Sequence, residues 1–265
     1  MFVLQYTKSN ICNMTEDTLD ELTEHYEGCR CDAESCSPTG SCSCISRFGP
    51  AFDASGRLQD IVPHTDLLKP VFECHDDCSC GQSCCNRVVQ HGVTAKLQVV
   101  SVGHKGVGVR SLQPIARGSF VCEYSGELLS EKSARRRARN TDPAMHNYIL
   151  AVREFFGVKL MTTYVDATYA GNVGRFINHS CEPNLFVQPV RVESAVPRVA
   201  LFALRDIPVY TELAYDYSGG VNTTAKSDCK LTSDIGEQTV ARKPCLCSLS
   251  HCRQVLPYDD TLFVS

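Results

Sequence analysis

From residue 95 onward the chain alternates apolar and polar positions in short runs, each bounded by glycine, proline or polar turn residues. A period of two over a few residues marks a half-buried strand. Strands are therefore predicted over residues 96–102, 107–112, 119–124, 148–153, 184–192 and 198–204. A helix is predicted over residues 130–139, where Ser130 supplies an N-cap and Asp142-Pro143 a stop. Residues 218–243 are polar and poor in aromatics, which predicts a long loop or disordered linker. No apolar run approaches the roughly 20 residues of a membrane span, so no membrane partner is expected. Many short strands with one helix predict a compact, mainly β domain.

Composition alters this picture at one residue type. The chain is 43% hydrophobic and 21% charged, ordinary for a soluble globular protein, and its net charge of −4 argues against a dedicated nucleic-acid binder. Acids gather at Glu16, Asp17, Asp20, Glu21, Glu24 and Glu27, as a solvated face or as an attraction for a basic partner. Arg135-Arg136-Arg137 reads as a solvated helix face or a nuclear-import signal. The first six residues lack the charged start and apolar stretch of a secretory signal, so a cytosolic or nuclear protein is expected. Seventeen cysteines are the outlier. Without an export signal, thiolates more often bind metal than pair as disulfides.

The spacing favours metal. Cys29, Cys31, Cys36, Cys42 and Cys44 are followed, after a gap, by Cys74, Cys78, Cys80 and Cys84. Two zincs in four-cysteine shells would leave one of these nine thiolates spare. Three zincs need twelve ligand positions, which nine cysteines fill if three of them bridge. Such a cluster is structural, because closed sulfur shells leave no open position for chemistry. Its net negative charge has to be offset by basic groups or backbone N–H donors.

Three further motifs lie on the β-rich scaffold: His104-Lys105-Gly106-Val107-Gly108-Val109-Arg110, the run from Gly174 to Asn184 containing Asn178-His179-Ser180-Cys181, and Glu212-Leu213-Ala214-Tyr215-Asp216-Tyr217. Singly they are a turn, a polar loop and a strand end. In this order, behind nine cysteines and Cys85-Asn86-Arg87-Val88-Val89-Gln90 and ahead of Cys245-x-Cys247-x4-Cys252, they resemble the SET-domain histone-lysine methyltransferases with pre-SET and post-SET modules. The resemblance spans residues 28–258.

The resemblance implies a mainly β SET fold with few helices and knot-like C-terminal threading, flanked by zinc-cysteine modules. It divides the chain into an N-terminal segment (1–27), a pre-SET triangular zinc cluster (28–90), a catalytic domain (91–218), a flexible linker (219–240) and a post-SET zinc segment (241–258). The implied cofactors are S-adenosylmethionine and four zincs, three in the pre-SET cluster. The fourth is assigned to Cys245, Cys247 and Cys252, with Cys181 nominated to close the shell. Cys12, Cys85, Cys122 and Cys229 are not expected to be ligands.

Methyl transfer to lysine is an in-line displacement in which a neutral amine attacks the methyl carbon of a sulfonium. Because free lysine has a pKa of about 10.4, the site must favour loss of the ammonium proton as well as alignment. By resemblance, the backbone of Lys105, Gly106, Val107 and Gly108 cradles the methionine end of the cofactor. Tyr148 and Arg175 line the same pocket, Asn178 and His179 contact amine and adenine, and Leu256 packs near adenine. Tyr217 matches the catalytic tyrosine, and Tyr215 the position that controls how many methyls are added. Read alone, His179 is equally a satisfied structural histidine and Tyr217 a core aromatic. The family commonly carries tryptophan where this chain has Val107, and the chain contains no Trp. The implied partner is a histone H3 tail or nucleosome, giving mainly mono- and dimethyl product on nuclear chromatin without direct sequence-specific DNA binding. Two rivals remain: a non-catalytic chromatin-binding module of the same fold, and a zinc deaminase faintly echoed by His25-x-Glu27 and Pro244-Cys245-x-Cys247.

Overall fold

The computed structural model describes residues 4–12, 26–31, 34–36, 42–59, 61, 70–142, 145–156, 159–218, 232–235, 238–257 and 259–263. In chain order the elements are β1 (Gln5–Tyr6), β2 (Ile11–Cys12), α1 (Ser43–Phe48), β3 (Val71–Phe72), β4 (Leu97–Ser101), β5 (Val107–Ser111), β6 (Phe120–Glu123) and β7 (Glu127–Leu129). They continue with α2 (Glu131–Asn140), β8 (Ile149–Phe156), β9 (Lys159–Asp166), β10 (Ala170–Gly171), β11 (Asn178–His179), β12 (Leu185–Arg191), β13 (Arg198–Ala203), β14 (Glu212–Tyr215), β15 (Thr232–Ile235) and β16 (Gln238–Ala241).

Three four-stranded sheets carry the molecule, in the orders β11-β14-β5-β4, β3-β12-β13-β6 and β2-β7-β9-β8. Their inner faces meet in one core that includes Val109, Val121, Cys122, Leu150, Val165, Leu185, Leu201 and Leu213. The six predicted strands are present, each with ends shifted by a few residues. The hairpin β8–β9 extends past the predicted strand at 148–153. In β9 the threonines Thr162 and Thr163 interrupt the apolar alternation, which hides it from a period-two reading. A second hairpin, β15–β16, lies within the stretch expected to be a loop; residues 219–231, Cys229 among them, lie outside the described residues. Most of the early acidic run does so too.

Ser130 caps α2 as predicted, its hydroxyl accepting from the Ser133 N–H at 3.3 Å. The helix buries Ala134 and Ala138 against β8 and β9, where small side chains permit close approach. Its arginine run is not a purely solvated face. Arg137 pairs with Asp166 at 2.7 Å and with Glu127, tying the helix to the sheet, and Arg135 pairs with Glu131 at 2.6 Å. The same helix receives the end of the chain. Leu262, 1% exposed, sits among Ala134, Ala138, Ala151 and Tyr164, while Arg153 holds Asp259 at 2.7 Å and Thr261 at 2.8 Å.

The cysteine-rich region joins the sheet β3-β12-β13-β6 through β3, which runs parallel to β12 with Val71 opposite Val190 and Phe72 opposite Arg191. Arg191 makes two bonds to Glu154, at 2.7 and 2.6 Å, and both side chains are 1% exposed. Loss of either partner would strand a buried charge, at about 3–5 kcal/mol.

Glu123 on β6 is a different case. It is 4% exposed, and among the described residues its Oε1 has no hydrogen-bond partner. Burial pushes its carboxyl from 4.5 up to about 7, with partial relief from the Arg198 charge. The folded protein therefore binds this proton more tightly than the unfolded chain. The stabilisation is full below pH 4.5 and is lost as pH rises through about 7. Glu123→Gln should gain stability over wild type on going from pH 5 to pH 8, by up to about 3 kcal/mol. Urea unfolding of both proteins at the two pH values measures this, since the difference between them cancels thiolate protonation.

Candidate active site and metal centres

The nine cysteines of the first cluster converge. Eight are buried and Cys31 is half-buried. Sulfur separations are 3.7 Å for Cys29–Cys36, Cys31–Cys36 and Cys44–Cys78, 3.8 Å for Cys36–Cys74 and 4.0 Å for Cys29–Cys80. A disulfide needs about 2.05 Å. A zinc tetrahedron with Zn–S bonds of about 2.3 Å has edges of about 3.8 Å, so the residues fit a metal. Quartets form from Cys29, Cys44, Cys74 and Cys78; from Cys29, Cys36, Cys74 and Cys80; and from Cys29, Cys31, Cys36 and Cys42. Cys29 recurs in all three, and Cys36 and Cys74 in two each, so the quartets share thiolates. Cys84 joins at the edge, its sulfur accepting from the Cys36 N–H at 3.3 Å.

The offset for this charge comes from residues that the sequence offered only as a signature. Asn86 Nδ2 donates to Cys74 Sγ at 3.4 Å. Arg87, its side chain 1% exposed, lies 3.8 Å from Cys80 Sγ and donates to the His75 carbonyl at 2.6 Å. Backbone N–H groups of Cys29 and His75 donate to Cys78 Sγ at 3.4 and 3.2 Å. Glu73 then ties the cluster to β12. Its N–H donates to Arg191 O at 2.9 Å, and its carboxylate accepts from the N–H groups of Val88, Val89 and Gln90 and from Gln90 Nε2.

A second quartet unites Cys181 with Cys245, Cys247 and Cys252, and the Cys181–Cys245 sulfurs are 3.8 Å apart. It also fits a tetrahedral metal. N–H donors of Arg253 and Gln254 reach Cys181 Sγ at 3.4 Å and Cys252 Sγ at 3.3 Å. The remaining described cysteines lie elsewhere. Cys122 is fully buried in the core, Cys12 is exposed on β2, and Cys85 donates to the Cys36 carbonyl at 3.0 Å.

Between the two clusters, a parallel pairing of β11 with β14 sets Asn178 opposite Ala214 and His179 opposite Tyr215. The glycine turn lies against it. Gly106 closes the turn at φ 80°, which favours glycine. A Cβ on Gly108 would sit 2.9 Å from Asn178 Nδ2, so only glycine leaves room. Asn178 Nδ2 donates to Val107 O and to Glu212 Oε1, both at 3.1 Å, and Lys105 Nζ pairs with Glu212 Oε2 at 2.9 Å. Glu212, not singled out from sequence, thus holds both Lys105 and Asn178. The Val107 side chain is 48% exposed, so it is the backbone of this residue that the site engages.

The Arg175 guanidinium stacks 4.0 Å over the Tyr148 ring, and its Nε donates to Ala167 O at 2.8 Å. Tyr217 donates its hydroxyl to Ile177 O at 2.9 Å, 4.9 Å ring to ring from Tyr215. Tyr124 packs edge-on to Tyr215 at 6.4 Å and donates to Tyr148 O at 2.6 Å. Burial holds all three phenols above their ordinary pKa, so at neutral pH they are protonated. His179 is pushed down to about 4 by burial and is neutral. Its Nδ1 accepts the Tyr217 N–H at 3.2 Å, which leaves the ring proton on Nε2, 3.5 Å from Cys181 Sγ. The ring is a brace between the second quartet and the tyrosine pair. Leu256 is half-buried, and its N–H donates to Lys243 O at 2.8 Å.

A glycine turn, a parallel Asn-His strand, a buried tyrosine pair and flanking thiolate quartets define a SET-domain catalytic fold. The SET domain model matches residues 106–218, and the Pre-SET motif matches residues 2–87. The chain is 43% identical over 262 residues to mouse Histone-lysine N-methyltransferase SETMAR, covering 98% of this chain and 83% of that one. The crystal structure of the methyltransferase domain of human SETMAR superposes with a TM-score of 0.78 at 38% identity, covering 97% of this chain and 90% of that one. KRYPTONITE, solved with methylated DNA, an H3(1-15) peptide and SAH, gives a TM-score of 0.71 at 31% identity, covering 96% of this chain and 48% of that one. The protein belongs to the SET-domain histone-lysine N-methyltransferase family.

Elemental analysis of the purified chain should give four zincs. Cys181→Ser should lose one and keep three, because the larger cluster shares no ligand with the second quartet.

Proposed function

We propose that this protein transfers methyl groups from S-adenosylmethionine to a lysine of the histone H3 tail, with mono- and dimethyl-lysine as its main products. Its class, a cofactor-dependent histone-lysine methyltransferase, follows from its family, whose solved members hold S-adenosylmethionine or its demethylated product. The observation that carries the reading is the Tyr215–Tyr217 pair, placed by the parallel strand beside Asn178 and His179. On this reading residues 28–90 are the pre-SET module, 91–218 the catalytic domain, 219–240 a linker and 241–258 the post-SET segment. The nine clustered cysteines hold three zincs, and Cys181, Cys245, Cys247 and Cys252 hold a fourth.

Bound S-adenosylmethionine supplies the methyl as a carbon electrophile on a sulfonium. The backbone of Lys105–Gly108, with Tyr148, Arg175, Asn178, His179 and Leu256, receives the cofactor. Tyr217, protonated and fixed to the Ile177 carbonyl, would present its oxygen to the amine and the methyl. The clustered phenol and carbonyl oxygens offer weak C–H···O contacts to the transferring methyl. Burial of the amine among the Tyr124, Tyr215 and Tyr217 rings would also favour its neutral form over the ammonium.

Tyr215 sets the product. A tyrosine hydroxyl there holds the amine directly or through an ordered water. Each further methyl then displaces that partner at roughly 1–2 kcal/mol, which slows a step about tenfold. H3 is supported by the peptide in the KRYPTONITE structure, and a nuclear, chromatin-associated role by the histone substrates of the relatives. The net charge of −4 agrees with a basic tail as partner and with the absence of direct sequence-specific DNA binding.

Tyr217→Phe should nearly abolish turnover, whereas Tyr215→Phe should preserve it and raise the methylation state. Mass spectrometry of an H3 peptide at long reaction times tests both. Ready trimethylation by the wild type would overturn the reading of Tyr215. Cofactor binding without turnover on any histone would select the non-catalytic module.

A further inference from the structure

Arg253 follows Cys252 directly and bears on two places at once. Its backbone N–H donates to Cys181 Sγ at 3.4 Å. Its side chain reaches the tyrosine motif, with Nη2 2.7 Å from Asp216 Oδ2 and Nη1 3.4 Å from Oδ1. Asp216 lies in sequence between Tyr215 and Tyr217, and its side chain is only 10% exposed against 43% for Arg253. It is a nearly buried carboxylate whose strongest partner arrives from a distant segment. Its other contacts are the Ser218 N–H at 3.0 Å and the neutral His179 ring, 3.7 Å away, so Arg253 is the one cation that faces it among the described contacts.

We propose that Arg253 is a positioning residue for methyl transfer, holding Asp216 and so the Tyr215–Tyr217 pair in line whenever the second thiolate quartet is closed. The inference rests on the reading of Tyr217 as catalytic. Tyr217 is located by two bonds, from its N–H to His179 Nδ1 and from its hydroxyl to Ile177 O. Both depend on the path of the backbone through Asp216. With Arg253 in place the carboxylate is compensated by a two-pronged, charge-assisted contact that fixes distance and direction together. With Arg253 withdrawn, a desolvated carboxylate is left to seek water, and the backbone carrying both phenols follows it. Displacement of a reacting group by about 1 Å costs up to about a hundredfold in rate. The quartet and the tyrosines are therefore coupled by a charge that arrives only when the C-terminal segment is seated.

The test compares Arg253→Gln and Arg253→Lys with wild type, each as the full zinc-loaded chain. Zinc content, S-adenosylmethionine affinity by calorimetry, amide exchange over residues 214–218, and kcat and KM on an H3 peptide are measured. Arg253→Gln should retain every zinc and bind cofactor within about threefold of wild type, while kcat falls at least about tenfold with KM little changed. Exchange over 214–218 should rise in step. Arg253→Lys, which keeps the charge and one prong, should recover part of the kcat. Unchanged kcat in Arg253→Gln, loss of zinc from it, or a lysine variant no better than glutamine would each overturn the proposal. Tyr217→Phe in the same assay separates the two levels: wild-type turnover there would defeat the catalytic reading itself, whatever Arg253 does.

Discussion

The site depends on one short parallel pairing, β11 on β14. Two residues on each strand are too few to hold a ladder unaided, and the chain supplements them. Asn184, 6% exposed, acts as a lateral partner: its Nδ2 donates to Glu212 O at 2.8 Å and its Oδ1 accepts the Ala214 N–H at 2.9 Å. The Ser180 N–H adds a bond to Tyr215 O at 3.2 Å. This register puts Asn178 and His179 beside Tyr215 and Tyr217, and it leaves Cys181 at the rim where the C-terminal cysteines meet it. A slip of one residue would turn every one of these side chains to the opposite face.

The two thiolate clusters join the rest of the fold by different routes. The larger replaces a hydrophobic core in a region with few large apolar residues, and it is tied to the β3-β12-β13-β6 sheet through β3, Glu73 and Arg191. The smaller lies one histidine ring away from the Tyr217 backbone. Metal at the first is a matter of fold. Metal at the second is a matter of fold and alignment together.

Much of this was legible in the sequence because the chemistry is carried by spacing. Cysteine intervals gave the clusters, the alternation gave six strands, and Ser130 gave the helix start. The motifs singled out Lys105, Asn178, His179, Tyr215 and Tyr217, which the structure joins through hydrogen bonds and ring contacts. What stayed hidden was what holds them. Glu212 reads as an ordinary strand-end acid, yet it binds Lys105 and Asn178 together. Asp216 and Arg253 are 37 residues apart, and no local pattern announces an ion pair at that range. The strand β9 was missed because its adjacent threonines break the alternation, and Leu262 because its partners lie on a helix and a remote hairpin. Local propensity reports on neighbours in sequence, and these contacts are neighbours only in space.

The seat of Leu262 has a consequence for the C-terminal cysteines. Cys252 lies ten residues before Leu262, whose side chain is buried against α2 and the β8–β9 hairpin. A flexible run of that length spans roughly 18 Å on average. If the quartet opens, Cys252 therefore remains on a ten-residue tether, with Cys247 and Cys245 on the same tether at 15 and 17 residues. Recapture of a metal is then an intramolecular search whose rate is set by the tether, independent of how much protein is present.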